Sequence, residues 1–525
     1  MDIDFSLYLV TGRELLPPGK DFYETLEQAL QGGVTVVQIR EKSLDTAEFL
    51  EICQRSKSIC DRYNVPLLVN DRVDIALAVG ANGVHVGQTD MPIAIARKLL
   101  PPNTVIGTSC NNVEEVKKAL SDGADYIGIG AVWATKTKTL DKPVIGVRNV
   151  GAMLEVLDGT SVQAVAIGGI KSKNLLRTLY GSVSRTNHSL DGVAVVSEIM
   201  TSDNPKEAAA YLRNILREFQ SGSSIQLGLC TQPNTHTSES ITREIVGLMV
   251  LMKKISPLIH QITNNVVIAQ SANTTISIGA SPIMATSAQE MSDLSHICDA
   301  LLVNIGTLTQ DAYLGMLEAG VCMNAKRKPI VFDPVGVGAT AFRKSAVDDL
   351  LNTWQASVIK GNAGELAALS GITEVESKGV DSVGTGFKDP VTFIRNLAKR
   401  ERCIIALTGK TDYVSDGKSV AILKNGHQYL GEITGSGCIT GSCIAAYCAL
   451  ASRLSESKPL KEDKLVRGDV FVGTISGILL LNVAAEIAAA RDDVRGPGTF
   501  FPALLDELAN LTPQVVSERV RVELA

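Results

Sequence analysis

Over its first 220 residues the chain alternates short apolar runs with amphipathic stretches, and the unit recurs eight times. Strand candidates are Leu7–Val10, Val36–Ile39, Leu67–Val69, Gly83–Val86, Val105–Gly107, Tyr126–Gly130, Ala164–Ile167 and Gly192–Val195. They are rich in β-branched residues and mostly apolar, as strands covered on both faces are. Helical periodicity marks the intervals, for example Asp21–Gln31, Thr46–Tyr63, Met91–Leu99 and Asn112–Asp122. Helical crossovers join parallel strands, and eight such units in this length match a small (β/α)8 barrel of the TIM type. A doubly wound parallel sheet is the alternative.

The polar residues favour the barrel. Gln38, Arg40 and Lys42 follow the second strand candidate on one face, because side chains alternate along a strand. Asn70-Asp71, Gln88/Asp90, Ser109, Thr135/Thr137/Lys138, Gly168-Gly169 and Val196-Ser197 each follow another strand candidate. Barrel sites are built at these carboxyl-terminal strand ends. Two cations and an amide suit a polyanion; taken alone, a solvated strand terminus would look the same. Asp71 and Asp90 read as carboxylates for magnesium, which takes one or two and fills the rest with phosphate and water, or as turn-capping aspartates. Gly168-Gly169 is expected to open a helix at Ile170, whose free N–H groups would favour phosphate. His85 reads as a structural strand histidine, and Glu41, on the opposite face, as structural too.

A flexible Ser221-Gly222-Ser223-Ser224 stretch follows the helical run Pro205–Phe219. The expected organisation is residues 1–222 as the barrel, 223–240 as linker and 241–525 as a second α/β domain rich in small residues. Glu374–Asp389, Gly-rich and charged, is expected to form a mobile loop. A net charge of −6 gives no basic field for nucleic acid. The apolar stretch Ile475–Ala490 is interrupted by Asn482 and Glu486, so no membrane span is expected. Ten scattered cysteines lack metal-ligand spacing, and the acidic N-terminus has no secretory pattern. The expectation is a cytoplasmic protein.

In order and spacing, QIREK, VNDR, GVHVGQTD, GTS, TKTK, AIGGI and VVS resemble the thiamine phosphate synthases over residues 5–220. The resemblance implies that Gln38, Arg40, Lys42, Asn70, Ser109 and Lys138 bind hydroxymethylpyrimidine diphosphate. Asp71 and Asp90 would bind Mg²⁺. Thr135, Thr137, Gly169, Val196 and Ser197 would hold thiazole phosphate. Pyrophosphate would leave as the thiazole nitrogen attacks the pyrimidine methylene carbon. One departure is Gly181–Leu190, longer than a compact barrel needs.

The second half carries Gly435-Ser436-Gly437-Cys438 before a small-residue helical run. A glycine turn at a helix start gathers N–H groups around one point, although close helix packing uses the same residues. There is no GxxxxGK[ST] loop and no protein-kinase signature. QITNNVV, ANTTISIGASPIM, NIGTLT, FDPVGVGATAFR, VIKGNAGE, ALTGKTDYVSDG and EITGSGCITG resemble the hydroxyethylthiazole kinases over about residues 259–443. A ribokinase-like α/β fold is implied. So are an anion hole from Gly435 to Cys438, Cys438 at the catalytic-base position, and Met284 and Gly435 against the thiazole. Arg343 and Thr408 would bind ATP, the co-substrate. Asn362 and Glu365 would orient Mg²⁺ and its water. Relatives of this fold often carry Asp at the Cys438 position; a helix N-terminus can lower a thiol pKa.

The combined expectation is a bifunctional thiamine-pathway enzyme taking small-molecule substrates, with Mg²⁺ at both sites. A hydroxymethylpyrimidine kinase in the second half and a ligand-sensing regulator are the competing readings. By the same resemblance it would be a homo-oligomer, trimer-based and possibly a hexamer.

Overall fold

The computed structural model describes residues 3–135, 142–221, 236–372, 376–378, 381–383, 387–456 and 464–525. It divides into two compact units, Met1–Ser223 and Ser224–Ala525.

In the first unit eight parallel strands close on themselves: β1 (Leu7–Val10), β2 (Val36–Ile39), β3 (Leu67–Asn70), β4 (Gly83–Val86), β5 (Val105–Cys110), β6 (Tyr126–Ile129), β7 (Gln163–Ile167) and β8 (Gly192–Val195). β8 pairs with β1 through Tyr8 and Ala194, so no edge remains. Helices cover the outside and side chains fill the inside, which is why the strand runs are mostly apolar. Phe5, Tyr8, Leu68, Val105 and Tyr126 belong to the cluster packed in its interior. The helix Pro205–Ser221 then packs against Phe22–Gln31.

Local differences from expectation lie close to the strand ends. β5 runs on to Cys110, so Ser109 is a strand residue with β6 as its neighbour. Gly168 and Gly169 both take left-handed φ, +96° and +65°, and the helix starts at Ser172 rather than Ile170. The extra length at Gly181–Leu190 forms a small bridged excursion, Val183 to Ser189, tied by His188 and Thr186 to Asp158.

The second unit holds a nine-stranded sheet. Its strands are β9 (Leu258–Ile262), β10 (Ser281–Ile283), β11 (Ala300–Asn304), β12 (Ile330–Asp333), β13 (Val358–Gly361), β16 (Ile404–Leu407), β17 (Asp412–Ser415), β18 (Val420–Leu423) and β19 (Val522–Leu524). The order is β10-β9-β11-β12-β13-β16-β17-β18-β19, parallel as far as β16 and antiparallel beyond. Inside the expected loop Glu374–Asp389 lies a two-stranded antiparallel pair, β14 (Glu376–Lys378) and β15 (Asp381–Val383).

Two buried helices, Ser436–Arg453 and Val470–Ala489, pack tightly against each other. The approach depends on small residues: a Cβ on Gly477 would lie 2.5 Å from the Ile444 nitrogen. The second helix is long and apolar enough to cross a membrane, but 89% of that window is buried inside the unit, where it serves as a core helix. The first helix of this unit begins at Ser238, inside the segment expected as linker; residues 222–235 lie outside those described.

Candidate active sites

The first site is a cavity of about 390 Å³ at the carboxyl ends of the barrel strands. Among its walls are Gln38, Arg40, Lys42, Asn70, Asp71, Asp90, Ser109, Thr135, Gly169, Val196 and Ser197. Residues distant in sequence are thus gathered on one face. Thr137 and Lys138 lie outside the described residues.

Asp71 sits at left-handed φ of 62°, its N–H donating to the His85 carbonyl at 2.8 Å. That turn swings its carboxylate toward both Lys42, with which it pairs, and Asp90. Burial pushes the Asp71 carboxyl above its ordinary value; Lys42 opposes this and the Asp90 carboxylate adds to it. Asp90 accepts the Gly87 N–H at 2.8 Å. Two crowded carboxylates, one of them paired with a lysine, are a donor set that fits a hard divalent cation. Asn70 is buried, and among the described residues its Nδ2 has no hydrogen-bond partner, so it can donate into the cavity.

Below this rim the pocket is lined by a buried polar chain that sequence reasoning missed. Gln38 Nε2 donates to the Tyr8 hydroxyl, which neighbours the Tyr126 hydroxyl at 2.9 Å. Tyr126 meets His85 Nδ1 at 2.8 Å, and His85 Nε2 meets Ser109 Oγ at 2.9 Å. Burial pushes the His85 imidazole down to about 4, so it is neutral at physiological pH. His85 is buried as expected of a structural histidine, yet it also supports a residue of the cavity wall. A cation at the mouth, Lys142, paired with Glu115, was likewise not anticipated.

The second site forms where the helix Ser436–Arg453 points its N-terminus at the carboxyl ends of β11, β12 and β13. Gly435 starts that helix at φ +81°, and a Cβ there would lie 2.2 Å from Val267 Cγ1. Only glycine meets both conditions. Beneath the turn Lys360 Nζ bonds Asp333 Oδ1 at 3.0 Å and lies 3.1 Å from where a Cβ on Gly437 would stand. Burial alone would push the Lys360 ammonium down; Asp333 and Glu365 beside it outweigh that and hold it above its ordinary value. It is therefore a fixed positive charge under the helix start.

Asn304 donates to Asp333 at 2.9 Å and to Cys438 Sγ at 3.3 Å, and Asn264 donates to Asn304 at 3.0 Å and to Cys438 Sγ at 3.4 Å. The Cys438 thiol is not lowered by the helix: burial and the nearby Asp333 push it up, and the Lys360 charge only partly offsets them. Glu365 accepts the N–H groups of Gly336 (3.1 Å) and Asn362 (2.9 Å), and Asn362 caps the helix in return. Burial raises the Glu365 carboxyl to about 6. An anion destabilised in this way is suited to a metal's hydration shell. Arg343, expected at ATP, donates to the carbonyls of Ile305, Val335 and Gly306 and braces two loops. Thr408 lies at the end of β16, bonded to the Gly361 carbonyl, and Met284 is half-buried just past β10.

The first unit is thus a barrel with a cationic, carboxylate-flanked mouth fit for a diphosphate and a metal. The second is an open α/β sheet with a phosphoryl nest at its strand ends. Known families match both halves: thiamine monophosphate synthase over residues 7–199 and the hydroxyethylthiazole kinase family over 249–514. A probable thiamine biosynthetic bifunctional enzyme of Schizosaccharomyces pombe is 38% identical over 538 residues, covering 100% of this chain and 99% of its own length. By halves, a thiamine-phosphate synthase of Alkaliphilus oremlandii is 44% identical, covering 40% of this chain and 95% of itself. A hydroxyethylthiazole kinase of Clostridium beijerinckii is 37% identical, covering 54% and 99%. The chain belongs to the thiamine biosynthetic bifunctional enzymes, with the synthase in its N-terminal half and the kinase in its C-terminal half.

Proposed function

We propose that the kinase half phosphorylates 5-(2-hydroxyethyl)-4-methylthiazole with ATP at the Gly435 turn. The barrel half then joins the resulting thiazole phosphate to hydroxymethylpyrimidine diphosphate, releasing pyrophosphate and giving thiamine phosphate. In the barrel, Arg40, Lys42 and Lys138 hold the diphosphate, and Asn70 donates to it. Asp71 and Asp90 would hold magnesium, which supplies charge to the departing pyrophosphate when bound. Thr135, Thr137, Gly169, Val196 and Ser197 hold the thiazole phosphate opposite. No protein nucleophile is required, because the thiazole nitrogen is itself the nucleophile; these residues position the partners and offset leaving-group charge.

In the kinase half, the N–H groups from Gly435 to Cys438 and the Lys360 ammonium face the transferred phosphoryl group. Catalysis of such a transfer is mostly positioning and charge stabilisation. Asn362 and Glu365 are the residues that would orient magnesium and its water. Cys438, buried and protonated, is placed to hydrogen-bond the substrate hydroxyl rather than to ionise first. The observation that carries the reading is that each half has its own charged site, built from the motifs that define its family. The test supplies thiazole alcohol, pyrimidine diphosphate, ATP and magnesium to the full chain. Thiamine phosphate should form. Arg40→Ala should block that step while thiazole phosphate accumulates, and Lys360→Met should block thiazole phosphate while added thiazole phosphate is still consumed. Loss of both steps in either variant would refute the division of labour.

A further inference from the structure

Residues 408–411 turn the chain from β16 into β17 at the carboxyl end of β16. The Thr408 N–H donates to the Gly361 carbonyl at 3.0 Å, and Gly361 follows Lys360 on β13. The turn therefore borders the charged floor of the phosphoryl nest. Gly409 and Lys410 are exposed on it. A short exposed turn containing glycine is soft by itself. Here a buried carboxylate ties it down: Asp412, the first residue of β17, is only 6% exposed, and its Oδ1 accepts the Gly409 N–H at 2.9 Å.

The other oxygen, Oδ2, accepts from Asn482 Nδ2 at 2.7 Å. Asn482 lies within the buried apolar helix Val470–Ala489, and its Nδ2 also donates to the Asn425 carbonyl at 2.9 Å. An amide inside such a helix costs burial free energy unless its hydrogens are taken, and loop groups take them. Two N–H donors thus converge on Asp412 from different segments. A carboxylate accepts both, whereas an asparagine would turn its own N–H₂ toward one of them. Burial raises the Asp412 carboxyl to about 6, opposed by the Gly409 and Asn482 hydrogen bonds and the Lys360 charge, so it is ionised at neutral pH. Keeping a buried charge is costly, and what this one fixes is the rim of the site.

We propose that Asp412 and Asn482 are positioning residues for the nucleoside triphosphate, holding the 408–411 turn in the shape that receives its phosphates. The proposal rests on the kinase reading and adds two residues that touch no substrate. Asp412 draws the Gly409 N–H inward, and Thr408 is tied to Gly361 on the other side. The turn is fixed at both ends, and the exposed Lys410 is the cation it carries. A rim already ordered loses less conformational freedom when the phosphates arrive, so releasing it weakens nucleotide binding.

Calorimetry of the full chain with magnesium and a non-hydrolysable ATP analogue gives Kd without turnover. A second titration gives Kd for the thiazole alcohol. Asp412→Asn keeps the shape and removes one acceptor; it should weaken the nucleotide about tenfold or more and the alcohol less than about twofold. Asn482→Leu removes the donor from the other side and should act alike, and it decides the matter if Asp412→Asn does not fold. The double variant should be little weaker than Asn482→Leu alone, because both changes break one contact. Nucleotide affinity within about twofold of wild type in the single variants overturns the proposal. So does equal weakening of the two ligands, the mark of a merely structural role, or a double variant whose losses multiply. A wild type that binds the nucleotide but forms no thiazole phosphate counts against the kinase reading, and the variants' affinities still decide the clamp. A wild type that does not bind the nucleotide overturns both.

Discussion

Replacing Lys360 by methionine isolates the charge under the kinase turn. The lysine side chain is 4% exposed, Asp333 is fully buried, and Nζ lies 3.0 Å from Oδ1. At an effective dielectric near 20 that contact is about 5 kcal/mol of Coulomb attraction before desolvation. Removing one partner of a buried pair strands the other charge, at about 3–5 kcal/mol. Asn304 still donates to Asp333, which places the expected loss nearer the lower value. On the scale of roughly 2–4 °C per kcal/mol for large domains, the kinase transition should fall by about 6–12 °C. Calorimetry of the full chain measures it. Asp333→Leu added to Lys360→Met removes the stranded charge and should recover at least about 2 kcal/mol, because an apolar pair can replace a buried ion pair at little cost. Kinase kcat should fall by about 10²–10³ in the single variant, as when a preorganised charge is removed from a reacting group. The synthase rate of the same preparation should be unchanged. A single variant melting within about 1 °C of wild type, or a double variant with additive losses, would refute the reasoning.

Gly435→Ala combines left-handed strain with a Cβ 2.2 Å from Val267; kinase kcat/KM should drop at least about 100-fold with the synthase intact, as steady-state assays of each half would show. Asp71→Asn should raise the magnesium concentration giving half-maximal synthase rate about tenfold or more, which a metal titration reads directly. Burial raises the Glu365 carboxyl to about 6 in the folded chain; once protonated, it has no charge to offer a metal's waters and accepts the Gly336 and Asn362 N–H groups more weakly. Kinase kcat should therefore fall as pH drops through about 6 and level off above it, and a flat profile from pH 5 to 8 would contradict this. The Lys42 side chain is 53% exposed and that of Lys360 only 4%. Rising salt should accordingly weaken synthase kcat/KM for the diphosphate several-fold while saturated kinase kcat changes little, a contrast that assays at low and high potassium chloride resolve.

The barrel was legible because its strands are mostly apolar and seven of the eight are followed by polar residues that a site explains. The limits of that legibility are local. Ser109 looked like a loop residue because polar Thr108 and Ser109 interrupt the apolar pattern, yet both lie in β5. The Gly168-Gly169 helix start was misplaced because two successive left-handed residues turn the chain further before it can coil. In the kinase half the motifs marked the loops, but not which side chains meet. Asn304 and Asp333 are register partners on β11 and β12, and Lys360 stands on the next strand, β13. Sheet order alone brings them together, and no spacing along the chain encodes it. For the same reason the three carbonyl partners of Arg343, on two loops, could not be read along the chain. The Tyr8–Tyr126–His85 chain spans strands 118 residues apart in its longest link, so periodicity could show those residues as buried and not as connected.

The two sites handle the same chemical problem, negative charge on phosphorus, by different devices, and the difference follows from what must move. The barrel grips a leaving group that later departs, and Lys42 and Asp71 are each other's counter-ions there. On the proposed assignment, a cation arriving on the Asp71 and Asp90 side, and a diphosphate arriving on the Arg40 and Lys42 side, would exchange one matched pair for two. No step leaves a half-buried charge alone, so binding and release both avoid the large penalty of stranding one. In the kinase half the phosphoryl group passes through while the protein charge stays. Lys360 is locked by Asp333, Asn304 locks Asp333, and the backbone of Gly435 to Cys438 cannot swing away. That charge is oriented when the chain folds, so it need not be reorganised at each turnover. Cys438 fits the same logic: held as a thiol among Asn264, Asn304 and Asp333, it adds no second negative charge where one is about to develop.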